Sequence, residues 1–247
     1  MTTSLRIDLG EASRYPLADS RWLTKAALTA VLAYVPILNF AVVGYELEIA
    51  RRVAAGDSTV LPEWDDLSGF FRRGLALALA RYLYSLPIFV VALLPLAAGA
   101  GILFATSDGG SDLQPLLLLG ACGIGFVLMM MIAFLIGGVS PAVAVRYLQV
   151  GTFASCFDLP AIVRQIRVHP AAHLRVFLFS IALSLGLSLA IVPGALFLSL
   201  IPCVGQFAYI VLLMAMSTFL VWANAHLEGQ LLRAVGGRAL VKGDWSR

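Results

Sequence analysis

Four stretches of this sequence carry no formal charge over lengths that reach or exceed what a helix needs to cross a bilayer. Ala26–Tyr45 is 20 residues, Tyr82–Ser107 is 26, Leu113–Val145 is 33, and Val176–Leu227 is 52 with His226 counted as neutral. A hydrocarbon layer about 30 Å thick is crossed by about 20 helical residues. Within it every backbone N–H and C=O needs a partner inside the protein, which leaves helices or closed barrels as spanning structures. The last run must hold two crossings, and VPGALFLSLIPCVGQ, with Pro193, Gly194, Pro202 and Gly205, supplies the turn between them. Charged residues make up 13% of the chain, about half the usual share of a soluble domain. The predicted fold class is all-α, a polytopic transmembrane helix bundle. It has four full spans plus an N-terminal re-entrant or kinked hydrophobic hairpin, with two cytoplasmic interfacial amphipathic helices.

Orientation follows from Arg and Lys in short loops, which are retained on the cytoplasmic side. Arg51, Arg52, Arg72, Arg73 and Arg81 mark one basic loop, and Arg146, Arg164, Arg167 and Arg175 a second. The tail adds Arg233, Arg238, Lys242 and Arg247, whereas SDGGSD holds only acids and Pro193 to Gln206 holds no charge. Spans are therefore expected at about 80–104, 114–145, 176–198 and 204–228, with a cytoplasmic C-terminus in the inner (plasma) membrane. The net charge of +3, from 15 Arg, two Lys and 14 acids, is too small to point to nucleic acid.

The first apolar run fits this alternation poorly, since one crossing there would put Arg6, Arg14, Arg21 and Lys25 outside. In AYVPILNFAVVGY, Pro36 and Asn39 stand mid-run, and Pro removes a helical hydrogen bond and clashes with the preceding turn. Two half-helices, about 23–34 and 38–52, would dip in and return, leaving the N-terminus cytoplasmic. The alternative is a kinked fifth span with the N-terminus outside. The first 25 residues mix both charge signs and resemble no cleavable signal, so the chain is expected to stay whole. The organisation is then a polar segment 1–21, one integral membrane domain 22–235 and a basic tail 236–247.

The most polar run, VLPEWDDLSGFFRRG, reads as an interfacial helix. Trp64, Leu67, Phe70, Phe71 and Gly74 share one face, Asp65 and Asp66 fall in the first turn, and Arg72 and Arg73 fall late, as the helix dipole favours. FDLPAIVRQIR echoes it about 93 residues on. There Asp158 can cap a helix, Pro160 sits in its first turn, Val163 and Ile166 point one way and Arg164 and Arg167 the other. The two copies are read as a parallel repeat of about 38–104 and 130–198, the alternative being a chance likeness between two interfacial segments. Such elbows either orient the spans structurally, or meet anionic lipid headgroups or a partner membrane protein.

Ionisable groups within a bilayer are costly, so those retained are candidates for function. Glu46, Glu48, Arg51, Arg52, Arg146, Asn224, His226, Glu228 and Arg233 gather near the expected cytoplasmic helix ends. The simplest account pairs these acids with these Arg residues. The sharper one puts Asn224 and Glu228 on one helical face opposite Glu46, as a site for a headgroup, cation or proton. Metal-ligand spacing, nucleophile elbows and phosphate loops are missing, so neither enzymatic activity, metal nor cofactor is expected. Cys122, Cys156 and Cys203 are odd in number and are expected to be buried thiols.

The run VPILNFAVVGYELEIARRVAAGDSTVLPEWDDLSGFFRRGLALALARYLYSLP resembles domain-of-unknown-function family 4013 of bacterial and archaeal membrane proteins. The features that carry the resemblance are Pro36, Gly44 and Tyr45, Arg51, Gly56, Leu61 to Asp66, Gly74, and Tyr84 to Pro87. IPCVGQF and ANAHLEGQLLR are similar to the family's downstream half, extending the likeness to about residues 20–235. The resemblance implies a multi-span bundle and assigns no catalytic or binding residues. A scaffold or accessory subunit of a membrane complex is the function expected first. A transporter or channel for a small solute or lipid is the alternative, and an enzyme acting on lipid headgroups has the least support.

Overall fold

The computed structural model describes residues 7–57, 61–105, 113–201 and 203–236. The acidic loop around Asp108 and Asp112, Pro202 and the basic residues Arg238, Lys242 and Arg247 lie outside the described residues. Among the described residues every regular element is helical: α1 (Leu9–Arg14), a 3-10 turn at Tyr15–Ala18, α2 (Trp22–Tyr34), α3 (Asn39–Ala55), α4 (Leu67–Ala105), α5 (Gln114–Val150), a 3-10 turn at Phe153–Phe157, α6 (Leu159–Val168), α7 (Pro170–Ser199) and α8 (Val204–Ala234). Four of them, α4, α5, α7 and α8, are long and apolar enough to cross a membrane.

The first apolar run is two helices. α2 stops at Tyr34 because Val35, the residue before Pro36, takes an extended conformation, and Ile37 then turns the chain at φ 74°. α3 ends on Gly56 at φ 92°, with the Gly56 N–H on the Val53 carbonyl and the Asp57 N–H on that of Arg52. At 13 residues, α2 rises about 20 Å, short of a full crossing.

The described chain forms two compact units, Met1–Ala78 with Pro141–Arg247 and Leu79–Ser140. In the second unit, Gly125 of α5 faces the Pro95 ring of α4, and Gly99 faces Leu118. Phe89, Leu93, Leu96, Phe126 and Leu135 each expose more than half their surface. Apolar area of that extent calls for lipid around it.

The first unit has its core where α1 to α3 meet α8 and the start of α4. Tyr15, Tyr45, Ile49, Val53, Leu61, Phe70 and Trp222 are buried together there. α3 is held close on two sides. A Cβ on Gly44 would strike the Phe70 backbone, one on Gly74 would strike the Phe40 carbonyl, and Gly229 of α8 sits against the Ala50 carbonyl and Val53.

The expected first elbow does not exist as a separate helix. Trp64 and Asp65 precede α4, Asp66 caps it by accepting the Gly69 N–H at 2.9 Å, and the helix runs unbroken from Leu67 to Ala105. Arg72 and Arg73 are therefore near the start of a 39-residue helix, not at the end of a short one, and the dipole argument for them fails. The physical reason is that Gly74–Leu75 supplies no helix break, the first proline, Pro87, coming only further along α4. The second segment does form a separate helix, α6, capped by Asp158 through the Ala161 N–H at 3.2 Å and closed at His169 before Pro170. Its anchor is the fully buried Ile162, whereas Val163 points outward together with Arg164 and Arg167. The two segments thus fold differently. Of the thiols only Cys156 is buried, while Cys122 is exposed on α5 and Cys203 is exposed just before α8.

Candidate functional site

The polar residues singled out in the sequence divide among several local networks. On α3, buried Glu48 accepts from Arg51 Nε at 2.9 Å and Nη2 at 2.6 Å, and from Arg52 Nε at 3.1 Å. The i+3 and i+4 spacing puts both cations on its side of the helix. Arg233 of α8 donates to the Val53 carbonyl, joining α8 to the end of α3. Glu228 is buried on α8 and Glu46 is half-buried on α3.

The expected face of Asn224 and Glu228 opposite Glu46 is not what Asn224 serves. Its Oδ1 accepts the Ser180 hydroxyl at 2.7 Å, tying α8 to α7. His226, fully buried, lies under the Tyr15 ring at 4.8 Å, 3.1 Å from Gln230 Nε2 and 3.8 Å from the Glu11 carboxylate. Gln230 in turn accepts the Asp8 N–H at 2.7 Å and donates to the Asp8 carbonyl at 3.0 Å. The N-terminal segment is therefore fastened to the last turns of α8, although 222 residues separate Asp8 from Gln230.

A second network escaped the sequence analysis. Lys25, 5% exposed, donates to Asp19 at 2.7 Å and to the Leu61 carbonyl at 2.9 Å, and it lies 2.8 Å from Glu63, which also meets Arg21 at 2.6 Å. Burial alone would raise the Asp19 carboxyl, but the hydrogen bonds from Lys25 and the Arg21 N–H outweigh it and hold Asp19 below its usual 3.8. The signal available was the Glu within LPEW, the one acid of that box read only as part of the family likeness. The same box packs the core. The Tyr45 hydroxyl donates to the Pro62 carbonyl at 2.8 Å, and Trp64 stacks on Tyr45 with centroids 4.2 Å apart and planes 2° from parallel.

At the start of α4, buried Arg73 meets Asp66 at 3.4 Å and lies over the Phe70 ring, while its carbonyl accepts the Tyr147 hydroxyl at 3.0 Å. Asp65 and Arg72 are exposed. Where α5 ends, Arg146 holds Asp158 at 2.7 Å, and that bond, with the Ala161 N–H, keeps the Asp158 carboxyl below its usual value. Beside this pair lies a cleft of about 230 Å³ between the end of α5, one face of α6 and the residue after α8, lined by Arg146, Gln149, Arg164, Gln165 and His169 among others.

A family model described as Protein of unknown function (DUF4013) matches residues 27–197. The match stops short of IPCVGQF and ANAHLEGQLLR, so the likeness expected there lies beyond the matched region. No curated protein and no solved structure matches the chain.

Proposed function

The chain belongs to the DUF4013 family, and with that as the starting point we propose that it works as a non-enzymatic scaffold or accessory subunit of a membrane complex. The observation that carries this is the way its polar side chains engage one another: Glu48 with Arg51 and Arg52, Lys25 with Asp19 and Glu63, Arg146 with Asp158, and Gln230 with Asp8. Such pairs fix one arrangement of helices, which is what a platform for other subunits requires. Crosslinking at native expression followed by purification in mild detergent tests this. A protein partner retained in fixed proportion is expected, and recovery of the chain with lipid alone contradicts it.

Alongside it, α2 and α3 form a re-entrant hairpin in the inner (plasma) membrane, with both termini cytoplasmic. Support comes from the exposed Leu23, Leu28, Val31, Tyr34 and Ile37, an apolar surface suited to lipid, and from the fastening of Asp8 to Gln230 near the end of α8. A second reading, a transporter for a small solute or lipid, draws on the prolines inside α4 (Pro87 and Pro95), α5 (Pro141) and α7 (Pro193). Tracer flux into proteoliposomes above empty vesicles would favour it over the scaffold.

A further inference from the structure

The cleft beside α6 collects cations and amide groups from separate helices. Arg146 and Gln149 come from successive turns of α5, and Arg164 and Gln165 from the facing turn of α6. Arg146 gives one guanidinium nitrogen to Asp158 while its buried Nε makes no hydrogen bond. Arg164 lines the same cleft and is exposed. Gln165 already contacts His173 at 3.3 Å, which fixes its amide. Two guanidinium groups lining one cleft, one from α5 and one from α6, can grip one tetrahedral anion with several charge-assisted bonds, and a carboxylate would use fewer of them. The flank of α6 also exposes Leu159, Val163 and Val168, side chains that are better covered by acyl chains than by water.

We propose that this cleft binds a phosphate group, with Arg146 and Arg164 as the cationic ligands and Gln149 as a neutral donor. Asp158 then acts as a built-in competitor, because it holds Arg146 at 2.7 Å. The inference rests on the cleft alone and holds whether or not the chain is a scaffold.

The test uses the full chain purified in detergent, titrated separately with phosphatidate, phosphatidylcholine and inorganic phosphate, with binding read from the rise in melting temperature. Phosphatidate is expected to bind more tightly than phosphatidylcholine. Arg164→Gln, at an exposed position that leaves the lipid-free melting temperature unchanged, is expected to weaken binding about tenfold, the loss of one charge-assisted contact. Asp158→Asn is expected to strengthen binding, a sign that general damage would not produce. If inorganic phosphate displaces phosphatidate, the site takes the free ion as well, and if it does not, the lipid is the source of the phosphate. Equal affinity for phosphatidate and phosphatidylcholine, or undiminished binding in Arg164→Gln, overturns the proposal.

Discussion

Lys25 shows how one side chain can hold a membrane-proximal fold together. Almost fully buried, it joins the loop before α2, through Asp19, to the LPEW box before α4, through Glu63 and the Leu61 carbonyl. Removing the cation leaves Asp19, itself 3% exposed, without its partner. Breaking a buried pair in this way typically costs about 3–5 kcal/mol. Lys25→Met should therefore lower the melting temperature in detergent clearly, while Arg72→Gln, on an exposed side chain, should change it little. The Asp19 carboxyl is depressed in the folded state, so its contribution is full above the unfolded value of 3.8 and is lost as pH falls through the lower folded value. Thermal melts from neutral to acid pH should show wild type losing stability in that acid window and Asp19→Asn losing less. At this scale the Glu48 pairs were legible, because i+3 and i+4 spacing on a helix announces them. Lys25 with Glu63 was not, because nothing local links residues on either side of a whole hairpin.

Elements meet α3 at glycines. Gly44 lies against the Phe70 backbone and Gly74 against the Phe40 carbonyl, so α3 and the first turns of α4 approach at backbone distance. Small residues permit such an approach between helices in a membrane. Because the obstructing atoms are backbone, they cannot swing aside, and overpacking of this kind typically costs about 1–3 kcal/mol or more. Gly74→Ala should accordingly lower the melting temperature and the yield of folded chain. Gly101→Ala, with nothing near its added Cβ, should do neither. The break between α2 and α3 could be read from Pro36, and the end of α3 from Gly56. The start of α4 could not, since a polar run on an amphipathic pattern looks the same as a separate elbow and as the first turns of a long helix. What separates the two cases is a breaker, and His169–Pro170 supplies one after α6 where Gly74–Leu75 does not.

For the whole molecule, the uncharged runs foretold the spans, since four helices long and apolar enough to cross a membrane lie where the charge pattern expected them. What charge counting left undecided was the N-terminal third, whose partners are far away in sequence. Tyr15 packs on His226, Asp8 is doubly bonded to Gln230, and α3 lies along α8 through Gly229. These contacts bring the N-terminal segment to the closing turns of the last helix. On the proposed re-entrant reading, both ends of the chain are expected on one side of the membrane. The most direct test is a pair of topology reporters, one fused before residue 1 and one after residue 247. Both should report the cytoplasmic side, and an external N-terminus with a cytoplasmic C-terminus would contradict the re-entrant hairpin and the docking of α1 on α8.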